Sequence, residues 1–164
     1  MKKILFLLAT LPTLLMAQDT KPKGDFYIED NAIVYHHVYK DSLDSATVIF
    51  QKLMARLPAS TTISNIKEFM QEHMITGNYE SQNGTEGYPW EMLKASFCIE
   101  IKSGRYRVTL SNIIDNPNAG TVPLTSIYTK NNPAEWRSGI DSKLSKLDAK
   151  FMAAFELKTA KSDW

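Results

Sequence analysis

The stretch LKASFCIEIKSGRYRVTLSNII, residues 93–114, alternates apolar and polar side chains on both sides of a central Ser103-Gly104. This alternation predicts two antiparallel strands joined as a hairpin, because successive side chains of a strand point to opposite faces. Pairing Lys102 with Arg105 gathers the apolar side chains on one face, whereas a shift by one residue would mix the two faces. The predicted pairs on the apolar face are Ile101 with Tyr106, Ile99 with Val108, and Phe97 with Leu110.

The other face of the predicted hairpin carries charged side chains. Glu100 is expected opposite Arg107, while Lys102 and Arg105 form a pair of like charges, which mildly destabilises a hairpin. Arginine makes bidentate contacts to carboxylates, so the basic cluster Lys102, Arg105 and Arg107 is a candidate site for an acidic group of a partner. The alternative is a solvated surface with a Glu100–Arg107 cross-strand pair.

The first residues form a pattern typical of a secretory signal peptide. Lys2 and Lys3 precede an apolar run over 4–16, and Ala17 supplies a small residue at the expected cleavage site. The run is shorter than the roughly 20 residues that a membrane-spanning helix needs. We therefore expect no membrane span, cleavage near Ala17, and export of the mature chain to the periplasm or the medium.

Composition limits the classes of function. Removing residues 1–17 from the 164-residue chain leaves 147, and lysine plus arginine falls from 19 to 17 against 18 aspartate plus glutamate. A nearly neutral chain of this size predicts a single domain without strong steering toward nucleic acid. Cys98 is the single cysteine of the sequence, so an intrachain disulfide is excluded.

Further strands are predicted on the N-terminal side of the hairpin. Residues 18–25 are polar and are interpreted as a mobile leader. The segment 26–39 is rich in β-branched and aromatic residues, which predicts one strand, or two with a break near Asp30-Asn31. Residues 61–70 and 73–81 are predicted as two more strands.

Two amphipathic helices complete the prediction. Asp41 is expected to cap the first helix and Pro58 to end it. Asn132-Pro133 is expected to start a short turn that ends near Gly139, followed by a C-terminal helix over about 140–158. The apolar stripes of the two helices are Leu43, Ala46, Ile49, Phe50, Leu53, Met54 and Leu57, and Ile140, Leu144, Leu147, Phe151 and Phe155.

These elements predict an α+β fold for residues 26–164 taken as one domain. Both helices carry one apolar stripe and the hairpin has one apolar face, so the helices are expected to pack together on that face. The expected element order is β-α-β-β-β-β-α, with a five-stranded antiparallel sheet.

The hairpin motif IKSGRYRVTLSNI, the early strand followed by a capped helix, and the signal peptide resemble a known bacterial domain. It is a domain of unknown function with a TATA-binding-protein-like (TBP-like) fold, found in exported proteins of Bacteroidetes-type bacteria. The resemblance covers 32–114, is sharpest over 102–107 and 110–113, and departs over 67–74, which has a more helical character. It implies the fold and the compartment, and the family carries no established activity.

Histidine and cysteine residues offer little catalytic chemistry. Cys98 with a histidine would be the skeleton of a thiol enzyme, but the predicted register puts it mid-strand opposite Thr109, not in an activating cationic setting. His36 and His37 are adjacent in a strand, so they point to opposite faces and cannot jointly bind one metal ion. His73 has no acidic or thiol partner at ligand spacing. We predict no catalytic residue, no metal and no cofactor.

The function that the sequence favours is an exported, non-enzymatic binding or interaction module for an unknown protein or acidic ligand. Its candidate binding residues are Lys102, Arg105, Arg107, Glu100 and Trp90. Trp90 is included because loop aromatics often take part in recognition, although a plug closing the core is the alternative role. The competing functions are a small periplasmic enzyme using Cys98, and an inhibitor or assembly subunit of an envelope complex. Nucleic-acid binding is not expected, because the chain is nearly neutral.

Overall fold

A computed structural model describes residues 24–29, 32–82, 92–115 and 134–157. Within these ranges the strands form a six-stranded antiparallel sheet in the order β1-β2-β6-β5-β4-β3. The predicted signal peptide, residues 18–23 of the predicted leader, and Trp90 lie outside the described residues. The elements are β1 (Phe26–Glu29), β2 (Ala32–Lys40), α1 (Ala46–Arg56), β3 (Ile63–Phe69), β4 (Met74–Gln82), β5 (Met92–Lys102), β6 (Arg105–Asp115) and α2 (Ala134–Phe155).

The β5–β6 hairpin has the predicted register. Lys102 pairs with Arg105, and the ladder continues through Ile99 with Val108 to Phe97 with Leu110. Alternation of apolar and polar residues is therefore sufficient to fix this pairing, as expected for a strand pair with one buried face.

The five-strand prediction is wrong by one strand. The segment 26–39 forms two strands, β1 ending at Glu29 and β2 beginning at Ala32, so the break falls at the predicted position. The two strands pair with each other, and the pair Phe26 and Tyr35 is fully buried. Burial of these two aromatic side chains favours the folded-back arrangement over a single long strand.

The strands predicted at 61–70 and 73–81 are present as β3 and β4. The segment 67–74, which looked helical in the sequence, contributes the end of β3 and the turn into β4. A bulge interrupts β3 between Ser64 and Lys67, where Asn65 adopts a left-handed conformation with φ of 51°.

The first helix begins later than predicted. It starts at Ala46, and Ser45 is its N-cap, because the Ser45 hydroxyl accepts a hydrogen bond from the Val48 N–H at 3.4 Å. Asp41, the predicted cap, instead lies 3.5 Å from the Lys52 ammonium group. The prediction failed because Asp41 and Ser45 are both good capping residues, and tertiary contacts decide between them.

Those tertiary contacts join the β2–α1 connection to the hairpin turn. The Asp41 N–H donates to the Gly104 carbonyl and the Gly104 N–H donates to the Asp44 carbonyl, both at 2.9 Å. Gly104 has a φ of 78°, a conformation that glycine adopts readily. Leu43, predicted in the apolar stripe of α1, lies in this connection and is 95% exposed.

The C-terminal helix, in contrast, begins earlier than predicted and is longer. α2 runs without a break from Ala134 to Phe155, so the predicted turn ending near Gly139 is instead the first part of the helix. Gly139 inside the helix costs only about 1 kcal/mol of helix stability, and packing of the apolar stripe of α2 against the sheet offsets this cost. The stripe residues Leu144, Leu147, Phe151 and Phe155 are fully buried.

Both helices cover the same face of the sheet, which we call the inner face. Their buried side chains belong to one core cluster with the apolar residues of the strands, and the ring centroids of Phe97 and Phe155 lie 5.2 Å apart. The Tyr106 hydroxyl donates to the Phe155 carbonyl at 2.8 Å and accepts from the Leu157 N–H at 2.9 Å. Nine residues that the sequence placed on the apolar face of the hairpin or in the two helix stripes are buried: Phe97, Ile99, Val108, Leu110, Ile49, Phe50, Leu53, Leu147 and Phe151.

Candidate functional site

The sheet face turned away from the helices, the outer face, carries mostly polar side chains in rows that cross the strands. Residues paired in neighbouring strands lie side by side, about 5 Å apart, so the register defines each row. The row nearest the hairpin turn is Lys40, Arg105, Lys102; the next is Val38, Arg107, Glu100, Met74; and the third is His36, Thr109, Cys98, Thr76.

Three cations form the row nearest the turn, and we call Lys40, Arg105 and Lys102 the cation row. All three side chains are exposed, and within the described residues none of them has an ion-pair partner. Two strand spacings separate the outer members, so the row is about 10 Å long. Sequence reasoning found Lys102 and Arg105 but missed Lys40, since the pairing of β2 with β6 joins segments far apart in the chain.

The other two candidate residues of the hairpin, Arg107 and Glu100, neutralise each other. Arg107 donates from both Nε and Nη2 to the same Oε2 of Glu100, with the Nε contact at 2.9 Å. About half of each side chain is exposed, so the pair contributes on the order of 0.2–1 kcal/mol. Arg107 and Glu100 therefore form the cross-strand pair that the sequence offered as the alternative, while the cation row keeps its net charge.

A shallow depression of about 210 Å³ lies between these two rows. Pockets for drug-sized ligands usually measure about 300–1,000 Å³, so this one fits a single acidic group better than a whole small molecule. Its lining residues are Val38, Glu100, Lys102, Arg105, Tyr106 and Arg107.

A wider depression of about 700 Å³ lies over the bulge of β3. Its lining is mostly small and neutral, and Lys67 is the charged residue in it. Because it does not bring several titratable groups together, it offers no evident catalytic chemistry. The lining residues are Asn65, Ile66, Lys67, Thr76, Gly77, Asn78 and Ser96.

Cys98 lies mid-strand on the outer face, opposite Thr109 as predicted. Burial raises the pKa of its thiol, and the nearby Glu100 carboxylate raises that pKa further, while Arg107 has a smaller, opposing effect. A thiol with a raised pKa provides less thiolate at neutral pH, so these surroundings do not activate Cys98 as a nucleophile.

His36 belongs to a hydrogen-bonded chain on the outer face. Its Nε2 lies 2.7 Å from Oε1 of Glu29, and its Nδ1 lies 2.9 Å from the Thr109 hydroxyl. Although acid, histidine and hydroxyl are the parts of a catalytic triad, Thr109 lies mid-strand, where the backbone N–H groups that would stabilise an oxyanion are used in sheet pairing. We therefore interpret this hydrogen-bonded group of side chains as structural and not catalytic.

His37 points to the opposite face, as its position in the strand predicts. Its Nδ1 lies 2.5 Å from Oδ2 of Asp25, and its ring centroid lies 4.3 Å from that of Tyr39. Among the residues that the structure describes, no three histidine, cysteine or acidic side chains are grouped so that they would hold a metal ion. In the same part of the chain, no helix combines the length and the apolar character needed to cross a bilayer.

Two solved structures share this architecture. A TBP-like protein from Parabacteroides distasonis superposes with a TM-score of 0.56 at 14% sequence identity, covering 77% of this chain and 92% of that one. A DUF4468 family protein from Bacteroides ovatus superposes with a TM-score of 0.58 at 12% identity, covering 86% and 96%.

Sequence comparison does not assign a family, because no family model and no curated protein matches the chain. At such low identity the two structures establish the fold and not a function. They confirm the fold that the hairpin motif led us to expect: the chain has a TBP-like fold, shared with proteins of Bacteroidetes.

Proposed function

We propose that the protein is an exported, non-enzymatic binding module whose cation row takes up an acidic group of its ligand. The observation that carries the proposal is that three exposed cations stand side by side without a carboxylate partner in the described chain. Like charges placed directly opposite each other destabilise a sheet, so a carboxylate or phosphate over the row would relieve their repulsion.

The rigidity of the row also supports binding. Lys40 is the last residue of β2, while Lys102 and Arg105 flank the tight Ser103-Gly104 turn, and all three strands are paired at this point. A group held on paired strands loses less conformational freedom on binding than one on a free loop. Export of the module is proposed from the signal-peptide pattern of residues 1–17.

The enzyme alternative has less support. Cys98 has a raised pKa, and the described histidine in its row, His36, is engaged with Glu29 and Thr109. No particular contact favours the inhibitor or assembly-subunit alternative, which differs from the proposal in the identity of the partner and not in the binding surface.

Site-specific photo-crosslinking in the native cell envelope tests this proposal. A photoreactive residue replaces the exposed Ser103 in the hairpin turn, and a control replaces the exposed Thr47 on α1. We expect a crosslinked product from position 103 that disappears when Lys40→Gln, Lys102→Gln and Arg105→Gln are combined.

The matched control is the double variant Glu80→Gln and Lys94→Gln, which removes one charge of each sign from an exposed ion pair on β4 and β5, away from the row and the depression. It should keep the crosslink at full yield. A product that survives loss of the cation row, or that forms equally from Thr47, would show that the ligand binds elsewhere.

A further inference from the structure

The end of the sheet that carries the cation row also carries exposed apolar side chains. Leu43 in the β2–α1 connection is 95% exposed, and Met70 in the β3–β4 turn is 68% exposed. Phe69, which precedes this turn, is 39% exposed. A single exposed apolar residue is common on protein surfaces, but together with the cation row these side chains give one end of the sheet both apolar and basic groups.

Backbone hydrogen bonds hold these segments in one assembly, which we call the turn end. The β2–α1 connection is fixed to the hairpin turn by the two bonds between Asp41, Asp44 and Gly104. On the other side, the Ile101 N–H donates to the His73 carbonyl at 2.9 Å, which fixes the β3–β4 turn to β5. The apolar side chains and the cation row therefore keep fixed relative positions.

The dimensions of the turn end suit an extended surface. Leu43 lies in the connection that is bonded to the β5–β6 turn, and two strand spacings, about 10 Å, separate this turn from the β3–β4 turn that carries Met70. One acidic side chain of a partner would occupy the 210 Å³ depression but leave both apolar residues in water. A layer of anionic groups with hydrocarbon beneath it can contact all three parts at once.

We infer that the turn end docks on an anionic lipid surface, with Leu43 and Met70 entering the headgroup region and the cation row contacting lipid phosphates. This inference rests on the proposed function and specifies the acidic ligand. Weak apolar insertion combined with a few cations is a common requirement for stable peripheral attachment.

The near-neutral charge of the whole chain does not oppose this docking. Salt limits electrostatic attraction to about 8 Å at physiological ionic strength, so the local charges of the turn end matter more than the total. Asp41 and Asp44 at this end are paired with Lys52. Glu72, in the β3–β4 turn, has no ion-pair partner in the described chain and should weaken the attraction.

Vesicle co-sedimentation tests the inference. The chain starting at Gln18 is used, because the apolar residues 4–16 would bind lipid by themselves and lie outside the described fold. We expect binding to phosphatidylcholine vesicles in which about a third of the lipid is phosphatidylglycerol, and none to pure phosphatidylcholine. Replacing all three members of the cation row by glutamine should weaken binding about 100-fold.

Two further variants separate lipid docking from general attraction to anions. Leu43→Ser combined with Met70→Ser should weaken binding about tenfold, while the control Val48→Ser with Met152→Ser, on the two helices, should leave it unchanged. Glu72→Gln should tighten binding. Unchanged thermal unfolding of these surface variants would confirm that they fold.

Binding that depends on the cations but not on Leu43 and Met70 would overturn lipid docking and leave the proposed function in place. Absence of vesicle binding together with a protein crosslinked at Ser103 would have the same meaning, since the acidic group would then belong to a protein. Absence of both would overturn the inference and the proposed function together.

Discussion

On the inner face of the β5–β6 hairpin, Ile99 and Val108 are fully buried beneath the helices, whereas Glu100 and Arg107 on the outer face are about half exposed. The same two strands supply both faces, and neighbouring residues of each strand have opposite surroundings. Apolar burial on the inner face stabilises the fold, while the charges outside contribute little to stability. Substitutions on the outer face should therefore cost the fold little.

The largest expected effect comes from truncating the inner face. Ile99→Ala should lower the free energy of unfolding by about 2–5 kcal/mol, because it leaves a cavity where a fully buried side chain was packed. The matched change on the outer face, Glu100→Ala, should cost about 0.5 kcal/mol or less. Both values come from denaturant titration, and similar losses for the two variants would disprove the assignment of the faces.

A smaller effect is expected where the inner face holds α2 through a polar contact. Tyr106→Phe removes a hydroxyl that bonds both Phe155 and Leu157, and should cost about 1–3 kcal/mol because buried backbone groups lose their partner. Burial raises the pKa of Tyr106 to about 12, in line with an enclosed hydroxyl. The matched change Tyr39→Phe should cost less, since that hydroxyl makes longer contacts, 3.2 Å to the Met152 carbonyl and 3.4 Å to the Phe151 carbonyl. Thermal or denaturant unfolding gives both values, and the reverse order would contradict this account.

The smallest effect concerns the outer face alone. Because burial and the Glu100 carboxylate raise the pKa of the Cys98 thiol, its alkylation by iodoacetamide should be slower at neutral pH than that of a free cysteine. The rate should rise with pH and reach half its maximum above the usual thiol pKa, because a raised pKa delays formation of the thiolate. In denaturant the ordinary rate should return. Fast alkylation of the folded protein at neutral pH would revive the thiol-enzyme alternative.

Local patterns in the sequence were enough to predict the hairpin register, the core and the pairing of Glu100 with Arg107. They were not enough for features that depend on distant segments. The start of α1 was decided between Asp41 and Ser45 by hydrogen bonds to the hairpin turn, and Lys40 joined the cation row through the pairing of β2 with β6. The exposure of Leu43 follows from the later start of α1. A site assembled from separate turns leaves no contiguous motif to find.

The bulge in β3 has a consequence for association between molecules. β3 is an edge strand of the described sheet, and a straight edge offers unpaired backbone groups to which another strand can add. Asn65 in its left-handed conformation breaks the regular line of these groups between Ser64 and Lys67, and the exposed Lys67 places a charge beside the break. The irregular β3 edge thus disfavours addition of a strand from a neighbouring molecule on this side of the sheet.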